Sequence, residues 1–395
     1  MKRLLLIWLV VLLPWVARAE VDPREAMVVA GTRQVAQLLS QSALARPSRA
    51  VLLAAAWRKM QPLLPQAGPP QSWEQLEARL VTGDLERSAR LAEAAMRGMV
   101  DSLGDPYSTL LTPAQRQFED QVRKTGSFTG IGVELAYRDG VVVVSCLEGS
   151  PAAESGLEAS DRILAVDGKP VAGLSFYDAG NLLLGQAGST VRLQVEREGR
   201  PLELKITRRQ LQLPEVTYRM AGPGVGLVRI GYFGPQTAAR VHGALKQLRA
   251  RQAKALILDL RDNPGGDFEQ GTKTAALFVT GPFLRVERVE GATQLSAPGQ
   301  AFYPESVAVL INRGTASAAE IVALALHGRS GRRLFGERSF GKARIQTMYS
   351  LAGGGALNLS TGRYLDLQGR DIHGRGLDPD EATTDPVKAA LAWLR

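Results

Sequence analysis

Cysteine and histidine are almost absent from this chain: Cys146 is the one cysteine, and His242, His327 and His373 are the three histidines. A zinc site built on thiolates and imidazoles therefore lacks ligands, an intrachain disulfide lacks a second thiol, and metal-free chemistry without a cofactor is the expectation. Aromatic residues are scarce, at 6% of 395 residues, and no basic run is interleaved with them. That pattern argues against nucleic acid as a partner. Long apolar runs are missing too: the stretch Leu4–Val16 has 13 residues, against the roughly 20 that a spanning helix needs. What is present is ordinary globular composition, 45% hydrophobic and 22% charged, with a formal charge of +9. Lys2, Arg3 and Arg18 lie in the leader, so the rest carries 45 basic against 39 acidic residues, a thin excess of about +6 that serves solubility.

Residues 1–19, MKRLLLIWLVVLLPWVARA, combine a basic start, an apolar run, Pro14 and an Ala17-x-Ala19 end. They read as a secretory signal peptide cleaved after Ala19, with an uncleaved anchor as the alternative. No cysteine adjoins the site for a lipoprotein anchor, so a periplasmic or otherwise exported protein is expected. Cys146, in VVVVSC, reads as a buried small hydrophobe.

Composition divides the remainder. Residues 20–125 are rich in Ala, Leu, Arg and Gln at helical spacing and read as a helical segment broken at PLLPQAGPPQ. Residues 126–209 carry short β-type runs and one helical stretch, a small β-rich module. After the connector LQLPEVTYRM, residues 210–380 alternate strand and helix patterns, which argues for an α/β layer domain, and 381–395 close in a short helix.

The chemistry concentrates in INRGTASAAEIVALALHG, where an apolar strand ends and Ser317 opens what reads as an amphipathic helix. A serine there meets the positive end of the helix and free N–H groups, which suits a nucleophile whose target becomes an oxyanion, although an ordinary N-cap serine fits the same place. Lys342, in ERSFGKARIQT, supplies what a serine needs in place of histidine: a lysine desolvated by neighbours such as Phe340 and Ile345 is held towards its neutral, basic form. Gln346, four residues on, is placed to orient that amine. No G-x-S-x-G elbow exists and no histidine has a catalytic context. GERSFGKA, residues 336–343, imitates a phosphate-binding loop but has Ala343 where Ser or Thr must hold magnesium, and a strand pattern follows where a helix is required. In LDLRDNPGGDFEQG, paired Gly265 and Gly266 after a buried strand let backbone N–H groups approach a ligand, or simply make a strand-to-helix turn.

Together these residues resemble the C-terminal processing peptidases, or tail-specific proteases. The resemblance rests on SLGDPYSTLLTP (Ser102–Pro113), GSFTGIGVEL and GSPAAESGLEASDRILAVDGKPV, LDLRDNPGG, GTASAAEIVALAL and FGKARIQ, and runs from about Met99 to Pro379. It implies an α/β fold: a ClpP/crotonase-like protease core with an inserted β-rich PDZ domain over 126–209 and the helical N-terminal segment. It further implies Ser317 as nucleophile, Lys342 as base, Gln346 as lysine-positioning residue, and the N–H groups of Gly265 and Ala318 as oxyanion hole. The loop Thr129, Gly130, Ile131 and Gly132 would catch the carboxylate of a protein tail added as a strand. Protein substrates bound through C-terminal tails are the implied partners, with an activating adaptor and a homo-oligomer left open. Two positions depart from the family: Ala343 stands where Gly is common after the lysine, and Ala319 where Ser is usual. A non-catalytic PDZ adaptor or ligand-binding relative in the cell envelope is the alternative reading.

Overall fold

The computed structural model describes residues 22–213, 216–303 and 305–395, so the leader expected over 1–19 lies outside the described residues. Four helices come first: α1 (Pro23–Ser42), α2 (Arg49–Met60), α3 (Trp73–Leu80) and α4 (Leu85–Asp101). Helix α4 buries Leu91, Ala92, Ala95 and Met99 along one stripe, and Asp84 caps its start through the N–H groups of Glu86 and Arg87. Their shared core also takes in Leu357 and Leu359 of the protease region. The helical segment is therefore packed on the core. It also contains a strand that its sequence pattern does not reveal, β1 (Thr109–Leu111), which pairs antiparallel with residues 356–358.

Helix α5 (Pro113–Thr125) ends at left-handed Gly126 and leads into β2 (Ser127–Gly130). The small module follows: β3 (Val133–Tyr137), β4 (Val141–Cys146), α6 (Pro151–Glu154), β5 (Arg162–Val166), β6 (Lys169–Pro170), α7 (Phe176–Leu183), β7 (Thr190–Arg197) and β8 (Arg200–Thr207). Strand β7 alternates exposed and buried residues, with Val191, Leu193 and Val195 turned inward. The sheet runs β3-β4-β5-β7-β8, which leaves β3 at an edge with α7 packed beside it. Part of the expected connector is itself a strand: β9 (Arg209–Gln212) pairs with β2 and closes the module's two chain crossings into a ribbon.

The last region contains β10 (Val216–Gly222), β11 (Val225–Ile230), α8 (Thr237–Ala250), β12 (Ala255–Asp259), α9 (Phe268–Ala276), β13 (Gly281–Arg288), β14 (Gly291–Ala297), β15 (Ser306–Ile311), α10 (Ala318–Leu326), β16 (Arg332–Gly336), β17 (Arg344–Ser350), β18 (Ala356–Leu365), β19 (Glu381–Ala382) and α11 (Pro386–Trp393). One sheet runs β10-β11-β12-β15-β16-β19 and is parallel from β11 onward. Its inner strands β11, β12 and β15 are buried nearly throughout and largely apolar on both faces, as a covered parallel sheet requires. In β12, Leu256 and Leu258 join the core with α8 and α10, while Ala255 and Ile257 join the core under α11. The second sheet, β1-β18-β13-β14 with β17 beside β18, begins its strand β17 two residues after the catalytic-lysine candidate, Lys342.

One expectation needs correction here. Helix α10 is not amphipathic: all nine of its residues are buried. It lies between α9, β13 and β16, so no face of it reaches solvent and an apolar run replaces the two-faced pattern.

Candidate active site

Three loops leave the carboxyl ends of parallel strands and converge: 260–267 after β12, 312–317 after β15 and 337–343 after β16. Such an edge is where α/β sheets present ligands. The loops are bonded to one another. Ala316 N–H donates to the Asn263 carbonyl at 2.9 Å, and Phe340 N–H to the Thr315 carbonyl at 2.8 Å. The buried side chains of Asn263 and Thr315 donate to the carbonyls of Ile230 (2.8 Å) and Leu260 (2.9 Å). These polar groups are satisfied internally and act as scaffold.

Ser317 stands at the N-cap of α10 with φ 54° and ψ −118°. A left-handed φ costs a non-glycine residue about 1–3 kcal/mol, so the surroundings must impose it. They do: its N–H donates to Glu320 Oε2 at 2.9 Å, its carbonyl accepts from Ile321 N–H at 3.1 Å, and the Tyr364 hydroxyl reaches the same carbonyl at 3.1 Å. Gly265 lies against this turn with φ +103°; a β-carbon there would stand 2.6 Å from Cβ of Ser317 and 2.9 Å from N of Ala318. Only glycine permits that approach.

Glu320 is the residue that sequence reasoning missed. Fully buried, it accepts from the N–H groups of Ser317 (2.9 Å), Gly341 (2.6 Å) and Lys342 (2.8 Å) and from Ser339 Oγ (2.5 Å). Burial raises its pKa and these four donors oppose the rise. One carboxylate thus holds the backbones of both Ser317 and Lys342. The Tyr364 hydroxyl links the same two residues through their carbonyls, sharing its one proton between that of Ser317 at 3.1 Å and that of Lys342 at 2.8 Å. The sequence carried one signal for Glu320: Ser-x-x-Glu before an apolar run is a capping-box spacing. It carried none for Tyr364.

The side chain of Lys342 points to Tyr107, with Nζ 5.3 Å from the ring centroid. Burial lowers its pKa, while Glu134, Glu320 and Asp105 counteract that shift. A lysine base works as the neutral amine, and a lowered pKa increases the neutral fraction at a given pH. Activity, kcat/KM, should therefore rise with pH along a limb centred below the ~10.4 of free lysine. A steady-state pH profile with a peptide substrate checks this; a profile falling over that range would remove Lys342 as base.

Among the described residues no hydrogen bond joins Lys342 Nζ to Ser317 Oγ or to Gln346. The Gln346 amide instead donates to Ser360 Oγ at 3.4 Å, beside a bulge in β17 between Ile345 and Gln346. Of the two expected oxyanion donors, Gly265 N–H is engaged by Asn263 Oδ1 at 2.9 Å, whereas Ala318 lies at the positive end of α10. The histidines sit elsewhere or are poor bases. His242 packs edge-on against Phe302 and His327 caps the far end of α10. His373 lies against Tyr107 at 5.6 Å with its pKa pushed down to about 4 by burial. No group of three metal-ligating side chains occurs among the described residues.

The expected carboxylate loop divides in two. Thr129 and Gly130 lie in β2, opposite Gln210 and Arg209, and only Ile131 and Gly132 form the turn into β3. Their carbonyls are used internally, accepting from Ala152 N–H and from Leu147 N–H and Ser150 Oγ. The module is docked on the catalytic loops: Arg138, just past β3, donates to the Phe340 carbonyl and stacks on its ring at 4.3 Å. Phe340 and Ala316 are buried in the module's own core.

Comparison with known proteins agrees with this architecture. Residues 224–383 match the model of peptidase family S41, and residues 127–207 match a PDZ domain. The chain is 35% identical over 311 residues to the carboxy-terminal processing protease CtpA of Bacillus subtilis, covering 77% of this chain and 66% of that protein. It is 33% identical over 358 residues to the carboxyl-terminal-processing protease of Synechocystis, covering 88% and 83% respectively. Among solved structures, the photosystem II D1 C-terminal processing protease is similar over 93% of this chain and 94% of its own, with a TM-score of 0.73 at 28% identity. The chain thus belongs to peptidase family S41, among the carboxyl-terminal-processing serine endopeptidases that carry an embedded PDZ domain.

Proposed function

We propose that this chain is an exported serine endopeptidase that captures protein C-terminal tails on its PDZ module and cleaves nearby bonds with Ser317 and Lys342. One observation carries the reading: the Glu320 carboxylate and the Tyr364 hydroxyl each hold the backbones of both Ser317 and Lys342. A merely structural N-cap serine does not need a second, distant loop pinned to the same two groups. In the reaction, Ser317 Oγ attacks the scissile carbonyl while neutral Lys342 takes its proton. The tetrahedral oxyanion forms at the N-terminus of α10, near Ala318 N–H, and the lysine ammonium then protonates the leaving amine. Water hydrolyses the acyl-enzyme by the same steps, and no metal or cofactor enters.

Lys342 Nζ lies over the Tyr107 ring and makes no hydrogen bond to Ser317 Oγ, and we read this conformation as a resting one in which the amine and the hydroxyl have still to meet. A tail adding to edge strand β3 lands on the strand whose end, through Arg138, grips Phe340, two residues before Lys342. Binding there can gate the site by its differential affinity for the resting and active states. The turn at Ile131 and Gly132 offers N–H groups to the terminal carboxylate. Export rests on the leader 1–19. An activating adaptor and a second copy of the chain are further partners we propose.

The test is cleavage of an unstructured protein with a free C-terminus by the mature chain, with Ser317→Ala as control. Amidating the substrate's C-terminus should lower kcat/KM about tenfold or more, one charge-assisted contact being lost. Equal rates for free and amidated tails would overturn tail capture, and tail binding with no cleavage would favour an adaptor.

A further inference from the structure

The environment of the Lys342 amine is built by groups outside the expected dyad. Tyr107, buried before β1, places its ring under Nζ at 5.3 Å. The ring is fixed from its own loop, where Tyr107 N–H donates to Asp105 Oδ1 at 3.1 Å, and by the edge of His373. An aromatic face attracts an ammonium and has no comparable attraction for a neutral amine. The second group is Glu134 on β3. Its strand runs beside the lysine's loop, as Arg138 four residues later shows by bonding the Phe340 carbonyl and covering the Phe340 ring. Glu134 exerts the largest charge effect on Lys342, and Lys342 the largest on Glu134.

We propose that Tyr107 and Glu134 form a holding site for the protonated amine of Lys342, making both positioning residues that keep the lysine charged and away from Ser317 while the PDZ module is docked. The inference rests on the Ser317–Lys342 reading and adds its control. It joins three regions of the chain: Tyr107 belongs to the segment before the module, Glu134 to the module's edge strand, and Lys342 to the protease core. Glu134 is also the part of the site that tail binding would disturb, because β3 is the edge to which a strand would add.

Other charges act on the same cluster. Glu119 of α5 disfavours ionised Glu134, whose pKa burial pushes up to about 7. Asp105 and Glu320 favour the charged lysine. Arg138 and Arg344 act on Tyr107, which burial holds neutral with a pKa of about 12, and His373 is neutral above about pH 4. Removing Glu134's charge takes away the first-ranked attraction opposing desolvation of the amine, so the lysine pKa is expected to fall.

The experiment reads that pKa twice. In the full mature chain, the pH profile of kcat/KM is compared for wild type, Glu134→Gln, Tyr107→Leu and Tyr107→Phe. Glu134→Gln should move the rising limb down by about one pH unit, giving about tenfold faster turnover below it. Tyr107→Leu should move it the same way by less, and Tyr107→Phe, which keeps the ring, should leave it in place. In parallel, competitive acetylation of Lys342 by acetic anhydride, quantified by mass spectrometry against pH in the Ser317→Ala background, measures the amine's pKa without turnover. A lower pKa in Glu134→Gln supports the holding site even where Tyr107→Leu does not fold. If that pKa falls but the activity limb stays, the holding site stands and Lys342 is not the base. A Lys342 pKa that is unchanged or raised in folded Glu134→Gln overturns the proposal.

Discussion

Ser317→Ala and Lys342→Ala should each abolish turnover, by on the order of 10⁴–10⁶ in kcat, and the double variant should be little worse than either. The reason is that the serine hydroxyl is inert until a neutral amine accepts its proton, so removing either partner removes the same step. Lys342→Arg should be equally inactive, because guanidinium does not deprotonate near neutral pH. That variant separates chemistry from charge, since it retains a cation beside Tyr107 and Glu134. Backbone placement gives no reason for the three variants to misfold, because Glu320 and Tyr364 bond to main-chain atoms of residues 317 and 342. Thermal melts close to wild type, with peptide cleavage at background, are the expected pair of results. Substantial cleavage by either alanine variant would dismiss the dyad.

Glu320→Gln is expected to damage both stability and activity. Its carboxylate receives three N–H groups and one hydroxyl in a fully buried site. The amide replaces one accepting oxygen with a donor facing other donors, and the cost of unsatisfied buried polar groups is about 2–4 kcal/mol. Tm should fall by several degrees. The larger effect is on rate: Ser317 is held at φ 54° against its own preference partly through this residue, and displacement of a catalytic group by about 1 Å can cost 10²-fold. Glu320→Asp, shorter by one methylene, cannot reach both the serine turn and the 339–342 loop and should fall between. A Glu320→Gln enzyme as stable and as fast as wild type would show that the carboxylate is not what assembles the site.

The fold was legible wherever a local pattern carries the structure. The alternation in TVRLQVER becomes β7 with its three valine and leucine side chains inward, and the apolar run ALILD becomes the covered strand β12. Helix α10 defeated the periodicity argument because burial on every side erases the two-faced pattern. Strands β1 and β9 were hidden for another reason. Each is short and owes its conformation to a partner distant in sequence, β18 for the first and β2 for the second.

The sequence by itself determined the chemistry on offer: scarce histidine and cysteine, a serine before an apolar helix, a lysine 25 residues later, and glycines where backbone must come close. Covalent identity and short-range propensity suffice for that. The arrangement of those groups was decided only by tertiary structure. The bonding of Glu320 and Tyr364 to both catalytic segments, the internal use of Gly265 N–H, and the position of Lys342 over Tyr107 all depend on contacts between loops and domains far apart in the chain. Burial, hydrogen-bond partners and pKa are properties of an environment, and the environment exists only once the PDZ module, the helical segment and the core have packed together.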